Sequence, residues 1–177
     1  MRYLTVGALV LCLASAAGAQ ESPRADLFAG YSLVHAEGEN LHGVEVALAY
    51  HFSGLLAAVL DLDWHTHTVE GVDHTTSAVL GGLRATFGRG TARPFVHALA
   101  GAVRDEDSIG VFEQTISETH TDFGGAAGGG LDVGGSKLAV RAQVDYRLAP
   151  QVQPDGSKKT HGDPRFSIGV VFRFGTR

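Results

Sequence analysis

The run from Arg165 to Phe174, close to the C-terminus, restricts the possible folds more than any other part of the sequence. In an extended strand, successive side chains point to opposite faces. One row of this run is apolar and rich in phenylalanine, whereas the other carries two arginines: Phe166, Ile168, Val170, Phe172 and Phe174 oppose Arg165, Ser167, Gly169, Val171 and Arg173. Such alternation predicts a β-strand with two chemically different sides.

The N-terminal residues predict export. A positively charged start is followed by the apolar run Leu4–Ala14 and by the small-x-small motif Ala17–Ala19, which is typical of a signal peptide and its cleavage site. The apolar run is shorter than the roughly 20 residues that a membrane-spanning helix needs. We therefore predict a cleaved signal peptide over residues 1–19 and one barrel domain over residues 20–177. A lipoprotein acylated on Cys12 is the alternative, and the leucines on both sides of that cysteine disfavour it.

Strand-like patterns recur along the rest of the chain and predict the topology. Eight segments qualify, at about residues 26–35, 43–52, 56–68, 75–87, 93–104, 121–133, 137–148 and 165–174. Short glycine-containing links at 53–54, 88–91 and 134–136 alternate with longer polar links at 36–41, 69–74, 105–120 and 149–163. Outer-membrane barrels have short periplasmic turns and longer outer loops. The sequence therefore predicts an all-β fold, an eight-stranded antiparallel up-and-down transmembrane β-barrel.

The two rows of each predicted strand differ in a way that orients the barrel. The polar rows mix glycine and alanine with charges of both signs, which indicates a crowded interior rather than a water-facing surface. We expect an interior polar network of Glu45, Asp61, Asp63, Arg84, Arg141, Asp145 and Arg173. Aromatic residues collect at the strand ends and predict two belts at the membrane interfaces. These belts comprise Phe52, Phe87, Phe172 and Phe174 near the short links, and Trp64, Phe123, Tyr146 and Phe166 near the long ones.

Several of these segments together resemble a known family. The glycine-rich run Phe123–Val133, the alternating run Lys137–Arg147 and the final Phe-x-Phe at 172–174 are similar to the OmpA-type eight-stranded outer-membrane β-barrel superfamily. The resemblance implies a monomer in the outer membrane, surrounded by lipid and lipopolysaccharide and inserted by the barrel-assembly machinery. Members commonly end on an aromatic residue, whereas here three residues follow Phe174.

Two other classes of protein are weighed against this prediction. A soluble, secreted lipocalin-like barrel would show the same period with the polarity of its faces inverted. The net charge of −5 and the lack of a Lys/Arg cluster argue against nucleic acid as a partner. No motif for a cofactor is found, because the glycines at 124–130 precede neither a helix nor a Gly-Lys-Ser/Thr sequence.

The histidines are the clearest chemical feature. His65 and His67 share a strand face with Asp61 and Asp63, and imidazoles with carboxylates can bind zinc, copper or nickel, so these two histidines are candidate ligands at the barrel rim. A lipid-modifying enzyme is a further alternative, because serine, histidine and aspartate all occur toward the long links. No nucleophile elbow is present, and we predict that the protein is not an enzyme.

The predicted function follows from the narrow barrel and its loops. Side chains fill an eight-stranded barrel, so no large pore is expected. We predict a structural or surface-interaction role, in which the loops at 105–120 and 149–163 contact an extracellular ligand.

Overall fold

The computed structural model is a closed barrel of eight antiparallel strands, each hydrogen-bonded to its neighbours in chain order. The structure describes residues 23–36, 39–69, 72–88, 90–111, 114–152 and 158–176. The strands are β1 (Pro23–Ala36), β2 (Glu39–His51), β3 (Leu56–Val69), β4 (Val72–Thr86), β5 (Ala92–Val111), β6 (Gln114–Gly134), β7 (Leu138–Val152) and β8 (Lys158–Thr176). Within these residues, no helix is long and apolar enough to cross a membrane. The predicted fold class and strand number are confirmed.

Pairing of the first and last strands closes the barrel. β1 and β8 run antiparallel from Pro23 opposite Thr176 to Val34 opposite Arg165. Asp26 lies directly opposite Arg173 in this pair of strands. The two side chains have different partners, however, because Asp26 contacts His51 and Arg173 contacts Asp132.

The strands extend much farther than predicted at the end of the barrel opposite the short turns. Residues 105–111 continue β5 and residues 114–120 begin β6, with Asp105 opposite His120. Likewise β7 runs to Val152 and β8 starts at Lys158. The prediction of loops over 105–120 and 149–163 was therefore wrong for most of these residues. Polarity was taken as a sign of loop, yet a strand that projects into water needs no apolar face, and the threonine, isoleucine and valine here favour strands.

The two sides of the wall have opposite character. Leucine, valine, isoleucine and aromatic side chains are exposed on the outside, including all the predicted belt residues except Phe87, which is half-buried beside a short turn. Phe28 and Phe95, by contrast, lie inside the barrel. Phe95 points inward because the next residue, Val96, takes the outward row of β5. Apolar outside and polar inside is the polarity of a membrane barrel, opposite to that of a lipocalin-like one.

Glycines on the inward rows let the wall and the large interior side chains approach each other. A Cβ built on Gly128 would lie 2.2 Å from Asp145 Oδ1, and one on Gly130 would lie 2.7 Å from the Phe95 ring. These positions make room for the charged and aromatic groups that the adjacent strands β7 and β5 direct inward. The glycine-rich sequence of β6 is thus explained by the volume of its neighbours.

Candidate functional site in the barrel interior

The barrel interior holds an unusual density of charge. Six carboxylates, five guanidinium groups and three imidazoles are buried among the described residues. All seven predicted network residues are among them. Seven further buried groups lie outside the predicted network: Asp26, His51, His65, His97, Asp132, Arg147 and Arg165. All seven lie on inward rows, and the alternation that identified the first seven could have identified all of these except His97, because both rows of β5 are mostly small and apolar.

Arg165 is the centre of the larger group of charges, here called the Arg165 cluster. The guanidinium is completely buried, with Nη1 2.7 Å from Asp63 and 3.1 Å from Asp61, and Nη2 2.7 Å from Asp145. Glu45 lies 3.7 Å from the same Nη2. One cation thus holds four carboxylates that come from three different strands. Its geometry ties β8 to the opposite wall of the barrel.

Neutral and weakly basic groups complete the Arg165 cluster. His97 Nε2 lies 2.6 Å from Asp145, and His65 Nδ1 lies 3.3 Å from Asp63. Gln143 donates to Glu45 at 2.7 Å, and the Ser167 hydroxyl donates to the same carboxylate at 2.5 Å. Arg147 adds a second, more distant cation, 3.8 Å from Asp63. Hydrogen bonds of this kind offset part of the cost of burying charge.

A second group lies closer to the short turns and is here called the Asp132 cluster. Arg141 donates twice to Asp132, at 2.7 and 3.0 Å, and Arg173 donates to the same carboxylate at 3.1 Å. Arg173 also donates to the carbonyl of Gly135 in the turn between β6 and β7. Arg84 belongs to this group through Phe95, because the guanidinium carbons of Arg84 and Arg141 both lie 4.6 Å from the centre of that ring. Such contacts are favourable cation–π interactions.

The two clusters carry opposite charge excess. The Arg165 cluster has four carboxylates and two arginines, whereas the Asp132 cluster has three arginines around one carboxylate. Chemically, this arrangement cross-links the strands and fills the interior with paired groups. It provides charged side chains packed against aromatic rings, which is typical of a structural interior and not of a wide diffusion pore.

The structure places the two candidate metal ligands differently from the prediction. His65 is fully buried in the interior rather than at the rim, and its Nε2 lies 3.0 Å from the Ser32 hydroxyl. The side chain of His67 lies outside the described residues. Among the side chains that the structure describes, no group of three or more His, Cys, Asp or Glu residues is arranged to hold a metal. Metal binding at His65 and His67 stays a hypothesis, without support from this arrangement.

Comparison with known proteins agrees with the closed barrel, its apolar outside and its charged inside. A family model described as the outer membrane protein beta-barrel domain matches residues 5–174. The chain belongs to this outer-membrane β-barrel family. The location in the outer membrane and the resemblance to eight-stranded OmpA-type barrels are thereby confirmed. Comparison with curated proteins gives no significant match.

Solved structures with the same fold include a surface protein, an attachment protein and an outer-membrane enzyme. Neisserial surface protein A is 14% identical, with a TM-score of 0.63 over 85% of this chain and 96% of that one. The attachment invasion locus protein Ail of Yersinia pestis is 18% identical, with a TM-score of 0.58 over 87% and 98%. The outer membrane enzyme PagL is 16% identical, with a TM-score of 0.50 over 83% and 98%. At these identities the likeness shows the shared fold of the outer-membrane barrel family.

Proposed function

We propose that this outer-membrane barrel is a surface-interaction protein whose contact site is the projecting part of β5 and β6. One observation carries the proposal: residues 114–121 of β6 pair with β5, whereas the pairing of β6 with β7 begins only at Gly125, opposite Leu148. The barrel wall therefore opens between β6 and β7 above this point. The described part of β6 from 114 to 121 is an edge strand.

An edge strand of this kind suits an extended peptide as a partner. Its backbone groups on the β7 side can form main-chain hydrogen bonds to an added strand. Natural proteins usually protect such edges with proline or lysine, and the sequence of 114–121, Gln-Thr-Ile-Ser-Glu-Thr-His-Thr, contains neither. We therefore propose an extended segment of an extracellular protein as the ligand, bound along the edge of β6 that faces β7.

The packed interior supports a role other than a general pore, and we propose that the protein is also not an enzyme. Because the same fold serves PagL, fold alone does not distinguish these possibilities. His120, on β6 next to the projecting part, has an exposed side chain and lies opposite Asp105. The Asp105 carboxylate accepts a hydrogen bond from Thr76 at 2.8 Å. Asp105 is thus hydrogen-bonded to a threonine, and this contact does not form a nucleophile–base pair.

The remaining partners are proposals that rest on location. Lipids and lipopolysaccharide would cover the apolar outer surface with its aromatic belts. The barrel-assembly machinery would insert the chain, after removal of residues 1–19 as a signal peptide, and the barrel would function as a monomer. The family match begins at residue 5, within that predicted signal peptide, and the first described residue is Pro23.

Shortening the projecting strands tests the proposed contact site. Residues 107–118 are replaced by Asn-Gly, which joins the paired residues Glu106 and Thr119 through a two-residue hairpin turn. We expect the variant to fold, because the removed pairs lie outside the barrel wall that β6 and β7 complete. Binding to a panel of extracellular proteins and extended peptides, measured with the barrel in nanodiscs, should fall at least tenfold for each ligand of the full protein.

A matched control changes the hairpin between β1 and β2 instead. Glu37→Asn creates an Asn-Gly turn between β1 and β2 and leaves the β6 edge intact, so this variant should bind as the unaltered protein does. Equal binding by the shortened variant and the unaltered protein would contradict the proposed site. So would binding that is lost equally in the Glu37→Asn control.

Compact migration on a gel tests the predicted insertion of the barrel. Unheated protein from the outer-membrane fraction should migrate faster than heated protein, because the closed barrel has no free strand edge within the wall and resists detergent. Recovery of the protein in a soluble periplasmic fraction, with one position on the gel before and after heating, would count against it.

A further inference from the structure

The Asp132 cluster contains more positive charge than its carboxylates balance. Arg84, Arg141 and Arg173 are all at least 95% buried, and the one carboxylate within ion-pair distance of any of them in the described structure is Asp132. Asp26 lies nearby on β1, opposite Arg173, but its Oδ2 is 2.8 Å from His51. Burying a cation without a partner is expensive, so this arrangement calls for an additional negative charge.

Hydrogen-bond donors without partners lie within the same cluster. Arg84 Nε, Arg141 Nη1 and Arg173 Nε are buried and have no hydrogen-bond partner in the structure. Arg84 takes part in none of the ion pairs formed by the described residues, and its guanidinium lies over the face of the Phe95 ring. Arg84 and Arg141 lie against the Phe95 ring and Arg173 shares Asp132 with Arg141, and each of the three has an open donor. Donors without acceptors favour an anion.

In the described structure, the other interior carboxylates form no ion pair with the arginines of this cluster. Glu45, Asp61, Asp63 and Asp145 are all held by Arg165 at 2.7–3.7 Å. The interior as a whole carries similar numbers of positive and negative groups, but the attraction between charges falls with distance and is strongest for direct pairs. The imbalance is therefore local to the Asp132 cluster.

We propose that the Asp132 cluster binds a small inorganic anion, the size of a halide or a phosphate, with Arg84 and Arg141 as its main ligands. The open donors of these arginines supply charge-assisted hydrogen bonds. Arg173 reaches the turn at Gly135, which places the cluster close to the periplasmic end, and the half-buried Arg93 lies near the start of β5 at that end. The anion enters from the periplasm and links β4 to β7 through the two arginines.

The anion dependence of unfolding tests this proposal. The unfolding rate of the refolded barrel is measured in sodium chloride, sodium bromide and sodium phosphate, each against sodium gluconate at the same ionic strength. A ligand present at ten times its dissociation constant stabilises the folded state about elevenfold, so unfolding should slow by about tenfold in the salt that fits. Comparison of the halides with phosphate identifies which anion is bound.

Two variants separate a specific site from general salt effects. Arg84→Met keeps an apolar stem against Phe95 but removes the cation, and it should abolish the difference from gluconate. Arg104→Met removes an exposed arginine on β5, outside the cluster, and should retain it. In crystals grown with bromide, an anomalous peak should lie within hydrogen-bond distance of the Arg84 or Arg141 guanidinium.

Three results would overturn the proposal. They are unfolding rates in all three salts equal to those in gluconate, an anion effect that persists unchanged in Arg84→Met, and a bromide peak confined to the protein surface. The variant that loses the effect must first show compact migration on a gel. If Arg84→Met does not fold, Arg84→Gln, which keeps a donor but removes the charge, takes its place in the same measurement.

Discussion

Replacement of Arg165 with methionine is expected to lower the free energy of unfolding by about 3–5 kcal/mol, the range for breaking a buried ion pair by removing one partner. Arg165 is fully buried and lies within 4 Å of Glu45, Asp61, Asp63 and Asp145. Methionine keeps an unbranched apolar stem that reaches to about the position of the arginine Nε, and it carries no charge. The substitution therefore leaves four carboxylates close together with Arg147 as the remaining arginine of the cluster.

Urea unfolding in lipid vesicles measures this effect. Trp64 is the single tryptophan and is exposed on the outer wall, so its fluorescence reports transfer from lipid to water. Arg104→Met is the matched control, because Arg104 forms an exposed ion pair with Glu106 at 3.3 Å. Exposed pairs contribute about 0–1 kcal/mol. Equal stability of the two variants would mean that the Arg165 cluster contributes nothing specific to the fold.

A double variant tests whether the loss of stability arises from the buried carboxylates left without their cation or from lost packing. Asp145→Asn removes one negative charge but keeps similar volume, and in the Arg165→Met background it should recover part of the stability. In the unaltered protein the same substitution should destabilise, because it weakens contacts of Asp145 with both Arg165 and His97. Destabilisation by Asp145→Asn in both backgrounds would assign the effect to packing instead.

The barrel itself was predictable from the sequence because alternation is a strong and repeated signal. In β7, for example, Arg141, Gln143 and Asp145 are buried and the residues between them are exposed, as the pattern indicates. β5 was harder, since alanine, valine and leucine occupy both of its rows, and the inward direction of Phe95 followed only from the structure. When both rows of a strand consist of small and apolar residues, the pattern does not predict which row faces the interior.

The length of the projecting strands and the choice of ion partners could not be predicted in this way. Residues 105–111 and 114–120 are mostly polar, so they lack the long apolar row that identifies membrane strands. Ion pairs across the interior depend on stagger and tilt, which bring Arg165 to Asp61 from a strand that is not its neighbour. The strand register places Asp26 opposite Arg173, but in the folded barrel the side chain of Arg173 forms its ion pair with Asp132.

The second large effect is expected at Gly169, where β8 meets β1. Gly169→Ala should lower the free energy of unfolding by about 3 kcal/mol, at the upper end of the usual range for overpacking. A Cβ at this position would lie 2.2 Å from the carbonyl oxygen of Ala29 and 2.4 Å from the Cα of Gly30. Both contacts are with backbone atoms of the facing strand, so no flexible side chain can move aside.

Gly81→Ala provides a matched control with the same chemical change. Gly81 is exposed on β4, and the nearest atom to a Cβ built there is the Val59 carbonyl oxygen at 3.9 Å. Alanine at a position without strain stabilises by about 0.4–1 kcal/mol, because it reduces the freedom of the unfolded chain. Unfolding of both variants in urea should therefore give changes of opposite sign.

The position of Gly169 on the closing pair of strands adds a second readout. Strain between β1 and β8 separates the strands that close the barrel, so unheated Gly169→Ala protein should show a smaller fraction of compact form on a gel than Gly81→Ala protein. Isolated opening would expose backbone groups of both strands to lipid, which is costly, and closure should therefore fail cooperatively with the rest of the barrel. Equal compact fractions and equal stabilities would show that β1 and β8 can move apart without loss, and that the glycine pair at this point is not required for closure.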